Sequence, residues 1–241
     1  MTIRPEERAA ARCERRGPLW DGSSPMKVDT LDAPRFASAF RLIGRSLAEI
    51  PVYRWILGEH VADPEACSLL ARILFRSIAD SGHLLGVMNP EQADPEEADP
   101  AEVIGVLAWL PPGVDGPAPD PADQERDARD LVARPDMARR LVDFWSNSPM
   151  YAPAPDAVDL TFAAVEPEWR HAGVIRALME PVEKYCIHHE IPYYVWTGLE
   201  SLRDVYIGGW GVEPFAEVEF VDGSTLYGLV SDRPPVFSGS R

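Results

Sequence analysis

The amino-acid sequence predicts a mixed α/β (α+β) fold, a central sheet covered by helices, on three observations. Strand-like and helix-like segments alternate over residues 26–231 in the order β-α-α-β-β-α-β-α-β-α-β-β. The stretch Leu160–Leu178, LTFAAVEPEWRHAGVIRAL, joins an apolar β-forming run to a helical stripe through a glycine-bearing turn. The chain then closes on two β-rich runs, Phe215–Val221 and Thr225–Val230, joined by Asp222-Gly223, a strong hairpin signal. With 241 residues, 46% of them hydrophobic, the chain can bury the core of one globular domain.

Each element follows from its own residues. Residues 1–25 read as a disordered extension: TIRPEERAAARCERRG is charged, DGSSP breaks any helix, and Met26 is itself a candidate start. A short strand is expected near Lys27–Leu31. Asp32 stands where it can N-cap the first helix, with Pro34 in its first turn and Phe36, Phe40, Ile43 and Leu47 on one face. Ile50-Pro-Val-Tyr-Arg-Trp-Ile56 interrupts that stripe as a loop or short helix. Asp63-Pro64 opens the next helix, which runs to about Ser81.

His83–Met88 and Val103–Leu110 read as strands flanking the acidic loop 89–102, NPEQADPEEADPAE. Its carboxylates lack the spacing of a calcium loop. A second loop, rich in Pro and Asp, covers 111–124. A helical stretch follows with Leu131, Met137, Leu141, Phe144 and Trp145 as its apolar positions. Leu160, Phe162 and Val165 mark a buried strand that Pro167 ends, and Ile175, Leu178 and Met179 begin a helix whose surface is expected to carry Glu183, Lys184 and His188. Pro192–Thr197 is β-branched and aromatic, hence a strand, and a short helix spans about Ser201–Gly208. Residues 232–241 form a C-terminal tail.

Composition excludes some functions. A net charge of -16 opposes nucleic acid and anionic membranes and favours a cationic or amine partner. Cys13, Cys67 and Cys186 form no close pair, which suits a reducing cytoplasm, and no apolar run approaches membrane-spanning length. Cys186-x-His188-His189 is not expected to bind metal, because adjacent helical residues do not share a face and no fourth ligand is apparent.

The chemistry concentrates after the Leu160 strand. A strand feeding a glycine turn into a helix points backbone N–H groups outward at the positive end of the helix dipole, an arrangement that binds phosphate. Arg170 and Arg176 stand where they add charge-assisted contacts. Val165, Pro167, Arg170, Gly173 and Leu178 match the pattern V-x-P-x-x-(R/Q)-x-x-G-x-(G/A)-x-x-L, and only Ile175 departs from it. This segment resembles the acyl-CoA signature of the GNAT acetyltransferase superfamily, and the order of elements is similar to that fold from end to end. Within the superfamily the sequence looks most like puromycin N-acetyltransferase and its actinomycete relatives, through FASAFRLIGRSLAEIPVYRW, the signature and the ending Trp196-Thr…Tyr206…Glu213-x-x-Ala216-Glu-Val218.

The resemblance implies a mostly antiparallel sheet with helices on both faces and a V-shaped splay at the acyl-CoA strand. It implies acetyl-CoA as cosubstrate, no metal, and an acceptor that is a small-molecule amine, an antibiotic or its precursor among the candidates. The coenzyme would lie against Ala163, Val165, Arg170, His171, Ala172, Gly173, Val174, Ile175 and Arg176. The β-branched Ile175 puts bulk where the backbone approaches the pyrophosphate. A backbone amide near Ala163–Val165 is the candidate oxyanion donor.

The family's leaving-group acid is often a Tyr before the last hairpin. Counting forward from Trp196-Thr197 selects Tyr206, whereas counting back from Gly211-Val212 selects Ile207. Asp159 and Glu102 are the candidate bases. Tyr53, Trp55, Trp109 and Trp196 are the candidate pocket aromatics, with core packing as the competing reading for Tyr53 and Trp55. Two alternatives stand beside acyl transfer: the same fold turned to a cyclisation or lyase step in natural-product biosynthesis, and a non-catalytic small-molecule binder. Open sheet edges leave room for a homodimer.

Overall fold

The computed structural model describes residues 26–90 and 102–235. The expected N-terminal extension, most of the acidic loop and the end of the C-terminal tail lie outside the described residues.

A seven-stranded sheet runs in the order β1-β2-β3-β4-β5-β7-β6, with β1 Val28–Thr30, β2 Leu84–Met88, β3 Val103–Leu110, β4 Val158–Val165, β5 Tyr193–Thr197, β6 Val212–Glu219 and β7 Thr225–Ser231. Every neighbouring pair is antiparallel except β4 and β5. β2 and β3 are buried on both faces and so read as near-continuous apolar runs.

One face is covered by α1 (Ala33–Leu47), α2 (Pro51–Leu57), α3 (Pro64–Asp80) and α5 (Pro135–Asn147). Phe36, Phe40, Ile43 and Leu47 of α1 are buried there, the four positions that the helical spacing selects. Asp63 caps α3 by accepting the Glu65 N–H at 2.9 Å, whereas Asp32 makes no cap hydrogen bond and instead accepts from Arg35 at 3.2 Å. Gly44 brings α1 against α3: a Cβ there would meet the Cys67 carbonyl carbon at 2.6 Å and the Ser68 nitrogen at 2.9 Å. Because backbone atoms cannot swing aside, Gly44→Val is expected to destabilise the protein by about 1–3 kcal/mol in denaturant unfolding.

The other face carries α6 (Val174–His189), whose Leu178, Met179, Val182 and Cys186 pack on Val158, Leu160, Tyr193 and Val195. Glu183, expected on the surface, is 2% exposed. It lies four residues beyond Met179 and three before Cys186, so the helix turns it inward. The stretch after the 111–124 loop is two helices, α4 (Pro121–Val132) and α5, because Pro135 starts a new one. Phe144 is buried as expected, but Trp145 is 54% exposed, since successive helical residues diverge by about 100°. Helix α7 (Glu200–Trp210) precedes the final hairpin. Among the described residues no helix is long and apolar enough to cross a membrane.

Candidate active site

Strand β4 builds the site. Between the pairs Ala108–Phe162 and Leu110–Asp159, β3 advances two residues while β4 advances three, so β4 carries one extra residue in a bulge. A bulge bends its strand and reverses which residues face each side. Val158 and Leu160 accordingly join the α6 core, whereas Phe162 and Ala164 join the α1–α3 core. The bend also separates β4 from β5, which pair only through Val158–Tyr193, Asp159–Tyr194 and Leu160–Val195.

Beyond Leu160 the β5-side edge of β4 is open. The Glu166 N–H donates to Ile104 O on β3 at 2.9 Å, and strand alternation therefore turns the amides of Ala163 and Val165 towards the splay. This is the edge on which the sequence places the oxyanion donor. A cleft fills the splay, lined by Ala163 and Thr161 of β4, Trp196 of β5, and Leu202, Tyr206 and Trp210 of α7.

At its far end the open edge runs into the turn before α6. Gly173 adopts φ +79°, the left-handed conformation for which glycine carries no steric penalty. The first intrahelical bond is Ala177 N–H to Gly173 O at 3.0 Å, so the amides of Val174 and Ile175 stand ahead of the ladder at the positive helix end. Val174 is buried because Gly105 admits it: a Cβ on Gly105 would meet Val174 Cγ1 at 2.3 Å. Ile175 is half-buried, and His171 and Arg176 are exposed on the turn. The Ala172 amide is committed to Trp169 O at 3.0 Å. The amides of Val174 and Ile175 therefore stand in the arrangement that suits an anion at a helix N-terminus.

Arg170 differs from expectation. Its guanidinium is held by Glu49 Oε1 at 2.7 Å and donates from Nε to Val165 O at 3.3 Å. Arg45 likewise pairs with Glu166. The end of α1 is thus tied to the phosphate turn by two ion pairs joining residues far apart in sequence, for which no local pattern exists. The Glu166 carboxyl is raised by burial, opposed by Arg45 and reinforced by Glu102 and Glu168. Glu102 belongs to this end of the sheet, with Asp159 at the opposite end of β4; it is not placed to serve the same reacting atoms as Asp159.

Asp159 faces a second lobe of the cleft, of about 200 Å³, lined also by Tyr53, Phe75, Phe144, Thr161, Tyr194 and Trp196. Burial pushes its carboxyl up to about 6, against the lowering effect of the Tyr194 hydroxyl that donates to it. Tyr53 lies near enough for the Asp159 charge to add to the desolvation that raises its phenol to about 12. The Thr161 hydroxyl is buried beside Asp159 without a partner in ordinary hydrogen-bond geometry.

Of the four expected pocket aromatics, Tyr53 and Trp196 line the cleft. Trp55 and Trp109 do not, which corrects the expectation. Trp55 packs edge-on against Phe220 at 5.8 Å, and Trp109 lies on the α6 face between His83 and Tyr185. The strand period sends Trp109 to the face opposite Ala108, where it packs beyond Leu107 against His83 and Tyr185 and does not reach the cleft.

The two readings of the α7 register also separate. Tyr206 lines the cleft and stacks on Trp210 at 4.4 Å, whereas Ile207 is 38% exposed. Burial raises the Tyr206 phenol to about 12. Cys186 is buried while His188 and His189 are exposed, and among the described residues no three His, Cys, Asp or Glu side chains are grouped to hold a metal ion.

The fold and the splayed cleft define a class, the GNAT fold. Solved structures with this architecture include a histone acetyltransferase HPA2 and related acetyltransferase from Corynebacterium glutamicum, with TM-score 0.58, 17% identity and coverage of 88% of this chain and 98% of that one. An arylalkylamine N-acetyltransferase 2 from Aedes aegypti gives TM-score 0.58 at 9% identity, covering 86% and 99%. A polyamine N-acetyltransferase from Drosophila melanogaster, which forms N-acetylagmatine, gives 0.50 at 15%, covering 85% and 98%. No family model matches the chain, and no curated protein matches its sequence.

Proposed function

We propose that this protein is an acyl-CoA-dependent N-acyltransferase that passes an acetyl group directly to a small-molecule amine. One observation carries the reading: an open strand edge leads from a helix N-terminus at one end to a buried carboxylate at the other. The structural neighbours named for amine acetylation support it.

Acetyl-CoA supplies the activated acyl thioester. The amides of Val174 and Ile175 would hold its phosphates, and the β4 edge at Ala163 and Val165 would align its arm. Asp159 takes a proton from the incoming ammonium, directly or through water, as the C–N bond forms. The Ala163 or Val165 amide stabilises the charge on the acyl oxygen, and Tyr206 gives its proton to the departing thiolate as the C–S bond breaks. An antibiotic or its precursor as the acceptor rests on the sequence likeness to puromycin N-acetyltransferases.

Titration with acetyl-CoA tests the reading. Glu49 occupies the Arg170 guanidinium beside the phosphate turn, so Glu49→Gln should tighten binding severalfold and Arg170→Ala should weaken it about tenfold. No heat of binding to the wild type at millimolar ligand would refute the transfer reading. The same Glu49–Arg170 pair favours a second reading, the cyclisation or lyase step, because a phosphate must displace a carboxylate already in place.

A further inference from the structure

We propose that the acceptor is an aromatic monoamine, one ammonium group on a short arm carrying an aryl ring, and that diamines and guanidino amines are discriminated against. The proposal rests on the amine-transfer reading of this site and narrows its substrate class.

The chemistry of the cleft wall carries it. Among the described residues, Asp159 is the only Asp, Glu, Lys, Arg or His that lines either lobe. It therefore offers one counter-charge. The Thr161 hydroxyl beside it, close enough to interact with the Asp159 carboxyl, keeps its lone pairs as a second acceptor for the same ammonium. Around them stand Tyr53, Phe75, Phe144, Tyr151 and Trp196. Their rings already meet edge-to-face or tilted, Tyr53 on Phe144 at 6.0 Å and Tyr151 on Trp196 at 5.8 Å, the geometry in which another ring packs well.

Size agrees. The lobe beside Asp159 measures about 200 Å³, and an apolar cavity of about 150 Å³ admits benzene. A ring and a two-carbon arm fill the lobe and bring the nitrogen to Asp159. An agmatine or putrescine in the same place sets a second cation against aromatic walls with no carboxylate to meet it. The ring faces return part of its lost hydration as cation–π attraction, but less than the hydration costs. Net charge selects for cations in general; the cleft selects for one charge.

The test separates this inference from the transfer reading. Phenethylamine, tryptamine, putrescine and agmatine are titrated into the purified full-length protein without acetyl-CoA, then compared in a thiol-release assay with it. Phenethylamine or tryptamine should bind at least tenfold more tightly than agmatine or putrescine. Asp159→Asn should weaken that binding at least tenfold, Phe144→Ala severalfold, and both should leave acetyl-CoA binding unchanged.

Agmatine or putrescine binding as well as the aryl amines would overturn the inference, as would absence of aryl amine binding. Aryl amine binding indifferent to Asp159→Asn would also overturn it. Aryl amine binding without any acetyl-CoA binding would overturn transfer alone and leave the aromatic monoamine pocket standing.

Discussion

Asp159→Asn is expected to make the protein more stable and nearly inactive. The carboxyl is raised from 3.8 to about 6, with burial as the leading cause. A carboxyl raised on folding binds its proton more tightly in the native state, so stability falls as pH climbs from about 4 to about 6 and the full cost persists above that. Two units correspond to about 3 kcal/mol. Asn keeps an acceptor for Tyr194 and can donate to Thr161, while removing the buried charge.

Unfolding at pH 8 should show a gain of about 1–3 kcal/mol, shrinking towards zero only below about pH 3, where Asp159 is protonated in both states. Transfer should drop about 10²–10⁴-fold. In the wild type, kcat/KM should rise through an apparent pKa near 6 and then level. The groups facing Asp159 fit this: Tyr53 from α2 and Tyr194 from β5 are raised phenols that stay protonated, and Thr161 does not titrate. A destabilised Asp159→Asn, or one with wild-type turnover, would remove Asp159 from the mechanism.

Tyr206→Phe should cost about 10²–10⁴-fold in kcat with little change in KM or stability. Phe preserves the stack on Trp210 and the lining of the cleft; only the proton on the phenol is lost. Because burial raises that phenol to about 12, it remains an acid throughout the working range, and no alkaline fall below about pH 11 is expected from it. Ile207→Ala, the other register's position, should leave kcat unchanged, since Ile207 points outward. If Ile207→Ala is as damaging as Tyr206→Phe, the damage comes from the helix and not from proton transfer. Thiol release at several pH values separates the cases.

Local chemistry made much of the fold legible. The Phe36–Leu47 stripe, the Asp63-Pro64 cap, the hairpin at Asp222-Gly223 and the glycine turn at 173 each state their geometry within a few residues. The phosphate turn followed from one glycine placed between a strand and a helix. Tyr206 is legible by position in a known pattern and Asp159 by its place at the mouth of the signature strand, with no means in the sequence of ranking Asp159 above Glu102 or Tyr206 above Ile207.

Ranking them needed tertiary structure. The bulge in β4 sets which residues face the cleft, and it is a property of the β3–β4 pairing, invisible in either strand alone. The same pairing puts Glu102 and Asp159 at opposite ends of the sheet. Trp109 and Trp196 are both strand aromatics; the face each occupies depends on register. Glu49–Arg170 and Arg45–Glu166 join the end of one helix to a turn more than a hundred residues later, and the inward turn of Glu183 depends on the helix's rotation against the sheet. What the sequence determined is periodicity and turn chemistry, which act between near neighbours. What the tertiary structure decided is register, face and burial, because each is set by pairing and desolvation between segments that meet only in the folded chain.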